Sequence, residues 1–231
     1  MQIDKILTRN TIFTTYESSS STVNAGIIRG VKYNFIIDTG TGGDFAKAML
    51  AELADSDLPI IVINTHHHWD HVYGNWVFAD KEIIAHKLCA ELLDNDWSVK
   101  MAEVQGRGRV FLGEVKKCLP NRLIDADLYF PEDGVKIFMN PGHSADSISV
   151  YDEIDKVLYL GDNFGVDEDG FSFWGYDGDF AAADIDEKYE AAFFKMIEHL
   201  KQFGFESAIV THGGHFSRGD FDKLEAEFKE D

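Results

Sequence analysis

Apolar positions along the chain form two kinds of pattern. Short runs of strand length, FII before Asp38, IIVIN after Pro59 and EIIAH ending at His86, alternate with longer stretches whose apolar residues recur at helical spacing. Thr, Ile, Phe and Tyr crowd residues 11–16, predicting a β-rich opening, and Gly30 between IIR and VKYNFII reads as a hairpin turn. After Asp38 and the glycines Gly40, Gly42 and Gly43, a helix is expected from about Asp44 through AKAMLAELAD. Asp44 is its predicted N-cap, and Ala46, Met49, Leu50 and Leu53 form its apolar stripe. Strand, helix, strand in this order is the signature of an α/β architecture.

Past residues 66–71 the pattern gives the strand EIIAH, the helix KLCAELLDN and a poorly patterned stretch to Pro120. Strands return in DLYF, VKIFMN, SISVYD and KVLYLGD, with an acidic hairpin from Asp152 to Asp155 between the last two. Residues 163–184, rich in Gly, Asp and aromatics, read as a loop. DEKYEAAFFKMIEHLKQF predicts an amphipathic helix with Tyr189, Phe193, Met196, Ile197 and Leu200 on one face. The strand SAIVTH and the helix FDKLEAEF follow. Two halves of β-β-α character are consistent with a duplicated sandwich, and no linker interrupts them, so residues 1–231 are expected to form one domain.

Composition narrows the functional classes. With 45% hydrophobic and 27% charged residues the chain is an ordinary globular one. Its 41 Asp and Glu against 21 Lys and Arg give a formal charge of -20, which opposes nucleic acid or an anionic membrane and favours a small-molecule substrate. No stretch reaches membrane-spanning length, and the polar N-terminus shows no export signal, so a cytoplasmic protein with reduced Cys89 and Cys118 is expected.

The chemistry concentrates in NTHHHWDH, residues 64–71. The cluster directly follows an apolar strand and therefore sits on a loop at the strand's C-terminal end, where α/β sheets place ligand sites. His66 and His68, one residue apart, can point the same way, and Asp70 and His71 add a carboxylate and a further imidazole. Imidazole and carboxylate are the ligands that hold zinc, iron or manganese. More such groups recur at strand ends: His143 in NPGHS, Asp162 in LYLGDN and His212 in AIVTHGGH. Five His and two Asp suffice for two metal ions.

These motifs resemble those of the metallo-β-lactamase superfamily: H-x-H-x-D-H as His66, His68, Asp70 and His71, then Asp38 in FIIDTG, His143 in PGHS, Asp162 in GD and His212 in IVTHG. The resemblance implies a four-layer αββα sandwich of α/β class. It assigns His66, His68 and His143 to a first metal, Asp70, His71 and His212 to a second, and Asp162 to a bridge between them, with Asp38 bracing the metal loop from behind. Two divalent metals are implied, zinc first, with iron or manganese as alternatives. His215 competes with His212 for the last position; His212 is favoured because it follows AIV directly and is itself followed by Gly. His67 should point away from the metals, His199 sits among polar neighbours on the late helix, and His86 is a candidate support for the ligands.

The resemblance implies hydrolysis of an ester, thioester, lactone or similar acyl bond by a metal-bridging hydroxide, with Asp70 orienting it and accepting a proton. No G-x-S-x-G nucleophile is present to compete with that chemistry. A phosphodiesterase or nuclease using the same metals, or a non-catalytic ligand-binding module, are the alternatives. Phe164, Phe171, Phe173, Trp174, Tyr176 and Phe180 offer either an aromatic lid or a loop anchored into the core. Lys100, Arg107, Arg109, Lys116, Lys117 and Arg122, gathered before and just after Pro120, offer either a site for a substrate carboxylate or phosphate, or a solvated face.

Overall fold

The structure is a computed structural model that describes residues 1–16, 21–167, 170–175 and 185–230. One sheet contains β1 (Gln2–Ile6), β2 (Asn10–Tyr16), β3 (Thr22–Arg29), β4 (Asn34–Ile37), β5 (Ile60–Ile63), β6 (Glu82–His86) and β7 (Arg122–Ile124), adjacent in chain order. Pairing is antiparallel from β1 to β4 and parallel from β4 to β7. The parallel steps need crossovers, supplied by α1 (Gly43–Glu52), by the single turn α2 (Trp69–Val72) with a 3-10 turn at Asn75–Phe78, and by α3 (Lys87–Gly106).

The second sheet uses β8 (Leu128–Phe130), β9 (Val135–Met139), β10 (Ile148–Asp152) and β11 (Val157–Tyr159) as an antiparallel meander. The chain then makes a separate hairpin, β12 (Phe164–Asp167) and β13 (Gly170–Phe173), and runs through α4 (Ile185–Lys201). β14 (Ser207–Ile209) returns parallel to β11, β15 (His215–Ser217) pairs with β14, and α5 (Arg218–Glu230) follows.

Three apolar layers separate four layers of structure. Between the sheets lie Ile28, Phe35, Ile37, Ile61 and Ile63 from the first and Ile137, Ile148, Val150 and Tyr159 from the second. The alternate residues Ile27, Ile36 and Val62 face outward onto Phe45, Ala46, Met49 and Leu53 of α1. On the far side Phe138, Tyr151 and Leu158 meet Phe193, Met196, Ile197 and Leu200 of α4 and Phe221 and Leu224 of α5. The central strands are thus buried on both faces, which is why their sequence is continuously apolar rather than alternating. The molecule is the four-layer αββα sandwich.

Several local expectations are corrected. Asp44 lies in the first turn of α1, not at its N-cap: Gly42 occupies the cap, and the N–H groups of Gly43 and Asp44 donate to the carbonyls of Glu114 and Leu112. Main-chain acceptors from a distant loop replace the side-chain cap. α3 runs to Gly106, well past the predicted KLCAELLDN, because Leu93, Trp97 and Met101 pack with Trp69, Tyr73 and Phe111. Residues 163–175 are not simply loop, since they contain β12 and β13. Phe164, Phe171 and Phe173 pack into the core beside α4 and α5, whereas Tyr176, Phe180 and the Tyr189 side chain lie outside the described residues. Among the described residues no helix is long and apolar enough to cross a membrane.

Candidate metal centre

Every candidate ligand leaves the C-terminal end of a strand or the loop that follows it. His66 and His68 follow β5, Asp70 and His71 ride on α2, His143 lies between β9 and β10, Asp162 follows β11 and His212 follows β14. Both sheets therefore deliver side chains to one edge of the sandwich. That edge is stitched by main-chain bonds between the sheets, Ile148 N to Thr65 O at 2.8 Å and Asn24 N to Thr211 O at 2.9 Å.

Two groups of ligand atoms result, each drawn together within 4.8 Å: His66, His68, His143 and Asp162, and Asp70, His71, Asp162 and His212. In the first, His143 Nε2 lies 3.2 Å from His68 Nδ1 and 3.6 Å from Asp162 Oδ2, with His66 Nε2 3.8 Å from the same oxygen. In the second, Asp162 Oδ1 lies 3.2 Å from His71 Nε2, and His212 Nε2 lies 3.1 Å from Asp70 Oδ2 and 3.4 Å from Asp162 Oδ2. Asp162 is common to both. His212, not His215, enters the cluster; His215 opens β15 and is exposed.

The imidazoles are aimed by what holds their other nitrogen. His71 Nδ1 donates to Asp38 Oδ2 at 2.8 Å, His212 Nδ1 to the Thr22 carbonyl at 2.7 Å, and His143 Nδ1 to the Trp174 carbonyl at 3.3 Å. Such bonds fix the tautomer that turns Nε2 inward. Asp38 also accepts from Thr65 N and Thr65 Oγ1, both at 2.7 Å, so one buried carboxylate ties β4, the start of the histidine loop and α2 together. Asn163 does the same for His143: its Oδ1 accepts from His143 N at 2.8 Å while its Nδ2 donates to the Asn140 carbonyl.

Thr65, Asn163 and the amide pair Asn64 and Asn75, which exchange hydrogen bonds at 2.8 and 3.0 Å, were not singled out from sequence. The one available signal was adjacency, since Thr65 precedes the histidines and Asn163 follows Asp162. His67 turns away as expected, its Nδ1 2.9 Å from Asp146. One expectation fails. His86 does not support the ligands, because its Nδ1 accepts from Leu88 N and caps α3. His199 has Asp127, Lys136 and Lys195 near it, as expected, and also packs on Phe138 and Phe203, at 5.3 and 5.7 Å between ring centres.

The electrostatics divide the cluster. Burial pushes His66 well below the ordinary imidazole range, and His68 down to about 4, with the neighbouring imidazoles adding to both. Burial also opposes charge on His71 and His212, but the carboxylates overcome it, Asp162 foremost, and raise both well above that range. In return, Asp162 is held well below the usual carboxylate range despite its burial, chiefly by His71 and His212.

The donor set matches divalent metal. Nε2 of His66, Nε2 of His71 and Oδ1 of Asp162 are buried without a hydrogen-bond partner. Orphaned polar atoms of this kind call for a partner that protein groups do not provide. Imidazole and carboxylate ligands converge from four segments of the chain into two groups, each of a kind that could hold such an ion, with Asp162 common to both.

The ligand edge opens into a cavity of about 470 Å³, the size of a small-molecule site. His68, Asp70, His143, Asp162 and His212 form its floor, and Trp69, Tyr73, Leu93, Trp97 and Val104 one wall. Trp174 stacks on His212, with ring centres 5.5 Å apart and planes at 29°.

A sandwich of two mixed sheets with a histidine and aspartate cluster at one edge defines the class, and sequence comparison gives the family. Residues 21–199 match the family model of the metallo-beta-lactamase superfamily, and the chain belongs to that superfamily. A curated relative, "Acyl-coenzyme A thioesterase MBLAC2" of Bos taurus, is 30% identical over 171 residues, which is 64% of this chain. The match spans 60% of that relative's length. Among solved structures, the metallo-beta-lactamase from Pontibacter korlensis aligns with a TM-score of 0.73 at 16% identity, covering 100% of this chain and 99% of that one. The metallo-beta-lactamase from Hirschia baltica gives 0.67 at 20% identity, covering 98% and 97%. At these identities the structural likeness speaks for the fold.

Proposed function

We propose that the protein is a dinuclear metal-dependent hydrolase, with zinc as its metal, that cleaves the thioester or a closely related acyl bond of a small molecule. The observation that carries this reading is the sharing of Asp162 between two complete ligand sets on the floor of a single cavity. His66, His68 and His143 would hold one ion, Asp70, His71 and His212 the other. A thioester is favoured among acyl bonds because the bovine relative is named for hydrolysing one.

Metal ions held by these residues would supply Lewis acidity and acidify a water. Asp70, buried on the cavity floor with Oδ2 directed at His212, orients the attacking water and takes up its proton. The apolar wall of Trp69, Tyr73, Leu93 and Trp97 receives the acyl part and excludes bulk water, which strengthens the electrostatic contacts beneath it. Trp174, stacked on His212, lines the same cavity. Net hydrolysis splits the carbonyl–sulfur bond, adds water, and releases a carboxylic acid and a thiol.

Elemental analysis of the purified protein, joined to a screen of thioester, ester, lactone and phosphodiester reporters, tests the proposal. Two transition-metal ions per chain and thioester turnover abolished by His66→Ala and Asp70→Ala, with folds intact by circular dichroism, are expected. Metal-free material, or an undiminished rate in either variant, would overturn it.

A further inference from the structure

The cavity is graded in character from floor to mouth. Above the apolar wall, the second half of α3 and the residues after it bring Lys100, Arg107 and Arg109 to the lining. Lys100, Glu103 and Arg107 are spaced three and four apart and share one helix face. Glu103 joins the two cations: its Oε2 accepts from Lys100 Nζ at 3.2 Å, and its Oε1 lies 2.5 Å from Arg107 Nη2. The hydrogen bond from Lys100, followed by the charges of Lys100 and Arg107, lowers the Glu103 pKa, so the clamp is charged at neutral pH. Glu103 thereby draws both cations to one side of the lining.

This placement runs against the character of the chain, which has about two acidic residues for every basic one. Among the described residues outside the ligand cluster, Asp96 and Glu103 contribute carboxylates to the lining, and Lys100, Arg107 and Arg109 contribute cations. Lys116, Lys117 and Arg122, which sequence groups with these cations, engage Glu114, Asp94 and Glu82 instead and do not line the cavity. We propose that Lys100, Arg107 and Arg109 form a subsite for an anionic group, phosphate or carboxylate, on the thiol portion of the substrate. The acyl end then lies against the apolar wall, with its carbonyl over the ligand floor. This assignment rests on the thioester reading above and makes the three cations determinants of specificity, not catalytic residues.

The discriminating set is one acyl chain on three thiols: coenzyme A, which carries phosphates, glutathione, which carries carboxylates, and N-acetylcysteamine, which carries neither. In the variant Lys100→Gln/Arg107→Gln/Arg109→Gln, KM for a charged thioester should rise roughly tenfold, the size of one lost charge-assisted contact, with kcat little changed. KM for the N-acetylcysteamine thioester should stay as it is. A rise confined to coenzyme A identifies phosphate as the ligand, and one confined to glutathione identifies carboxylate. Arg109→Gln alone, expected to shift KM in the same direction, serves if the triple variant does not fold.

Calorimetric binding of free coenzyme A and free glutathione to the metal-loaded wild type and variant is read independently of turnover. If no thioester is hydrolysed but one thiol binds the wild type roughly tenfold more tightly than the variant, the hydrolase reading falls and the subsite stands. Equal binding of both thiols by wild type and variant, or KM rising equally for the neutral thioester, overturns the subsite. A lowered melting temperature as the sole effect would likewise overturn it, making these cations stabilisers of the α3 C-terminus.

Discussion

Asp38 shows how much of the site depends on single residues that touch no substrate. It is one of three non-glycine residues with positive φ among those described, at 61°, a left-handed conformation that Asp tolerates better than most side chains. That backbone turn brings its carboxylate under Thr65 and His71 together. Asp38→Asn keeps the size but weakens the acceptor for His71, so metal affinity should fall roughly 10- to 100-fold, measured by competition with a chelator. Protonation gives a second prediction. His71 and His212 are raised well above the ordinary imidazole range and so are protonated at pH 7 without metal, whereas a ligand imidazole must be neutral. Metal uptake at pH 7 should therefore release about two protons into a weakly buffered solution, and affinity should rise between pH 6 and 8. Release close to zero would show these imidazoles already neutral. The ligand positions themselves were legible because residue type and strand-end placement are local properties. The roles of Thr65, Asn163 and His86 were not, because each depends on which neighbour the folded loop presents.

Among the elements, β3 carries the tightest constraint on how the two sheets approach. A Cβ on Gly26 would stand 2.1 Å from the ring of Tyr159, whose hydroxyl donates to Asn10 Oδ1 at 2.7 Å across the sandwich. Gly26→Ala should thus destabilise the protein by about 1–3 kcal/mol through overpacking, seen as a lower urea midpoint. Adding Tyr159→Leu should recover part of the loss, and two strictly additive penalties would sink the explanation. Buried strands and the apolar face of α4 were readable because their pattern is set by the layers they divide. The edge strands β1, β7 and β15 were not: β7 and β15 are three residues each with no fully buried position, so they leave hardly any periodic trace. The second half of α3 was missed for a related reason. Between Asp94 and Gly106 its only fully buried residue is Val104, and the helix is held by partly buried Trp97 and Met101 against a satellite cluster. The cation clamp lies on that unpredicted half, which is why its face could not be read in advance.

Over the whole molecule the acidic excess is divided between structural and functional work. At the end remote from the ligands, buried Asp133 accepts from the N–H groups of Val31, Lys32 and Tyr33, fastening the β3–β4 turn to the second sheet. Asp152 and Asp155 fasten the β1–β2 turn through Arg9, Asn10 and Thr8. Other carboxylates lie on the surface and contribute to a formal charge of -20, against which the cavity lining sets Lys100, Arg107 and Arg109. A single phosphate or carboxylate can be held by so local a patch. A polyanion needs several of its phosphates neutralised in a row and would meet the net negative charge of the chain. Single-stranded RNA and DNA oligonucleotides should therefore show no retardation by the metal-loaded protein at micromolar concentration, even at low salt where electrostatic attraction is greatest. Retention that weakens steeply with salt would instead reveal a continuous basic track, and would move the substrate from a small thioester to a nucleic acid phosphodiester cleaved over the same ligand floor.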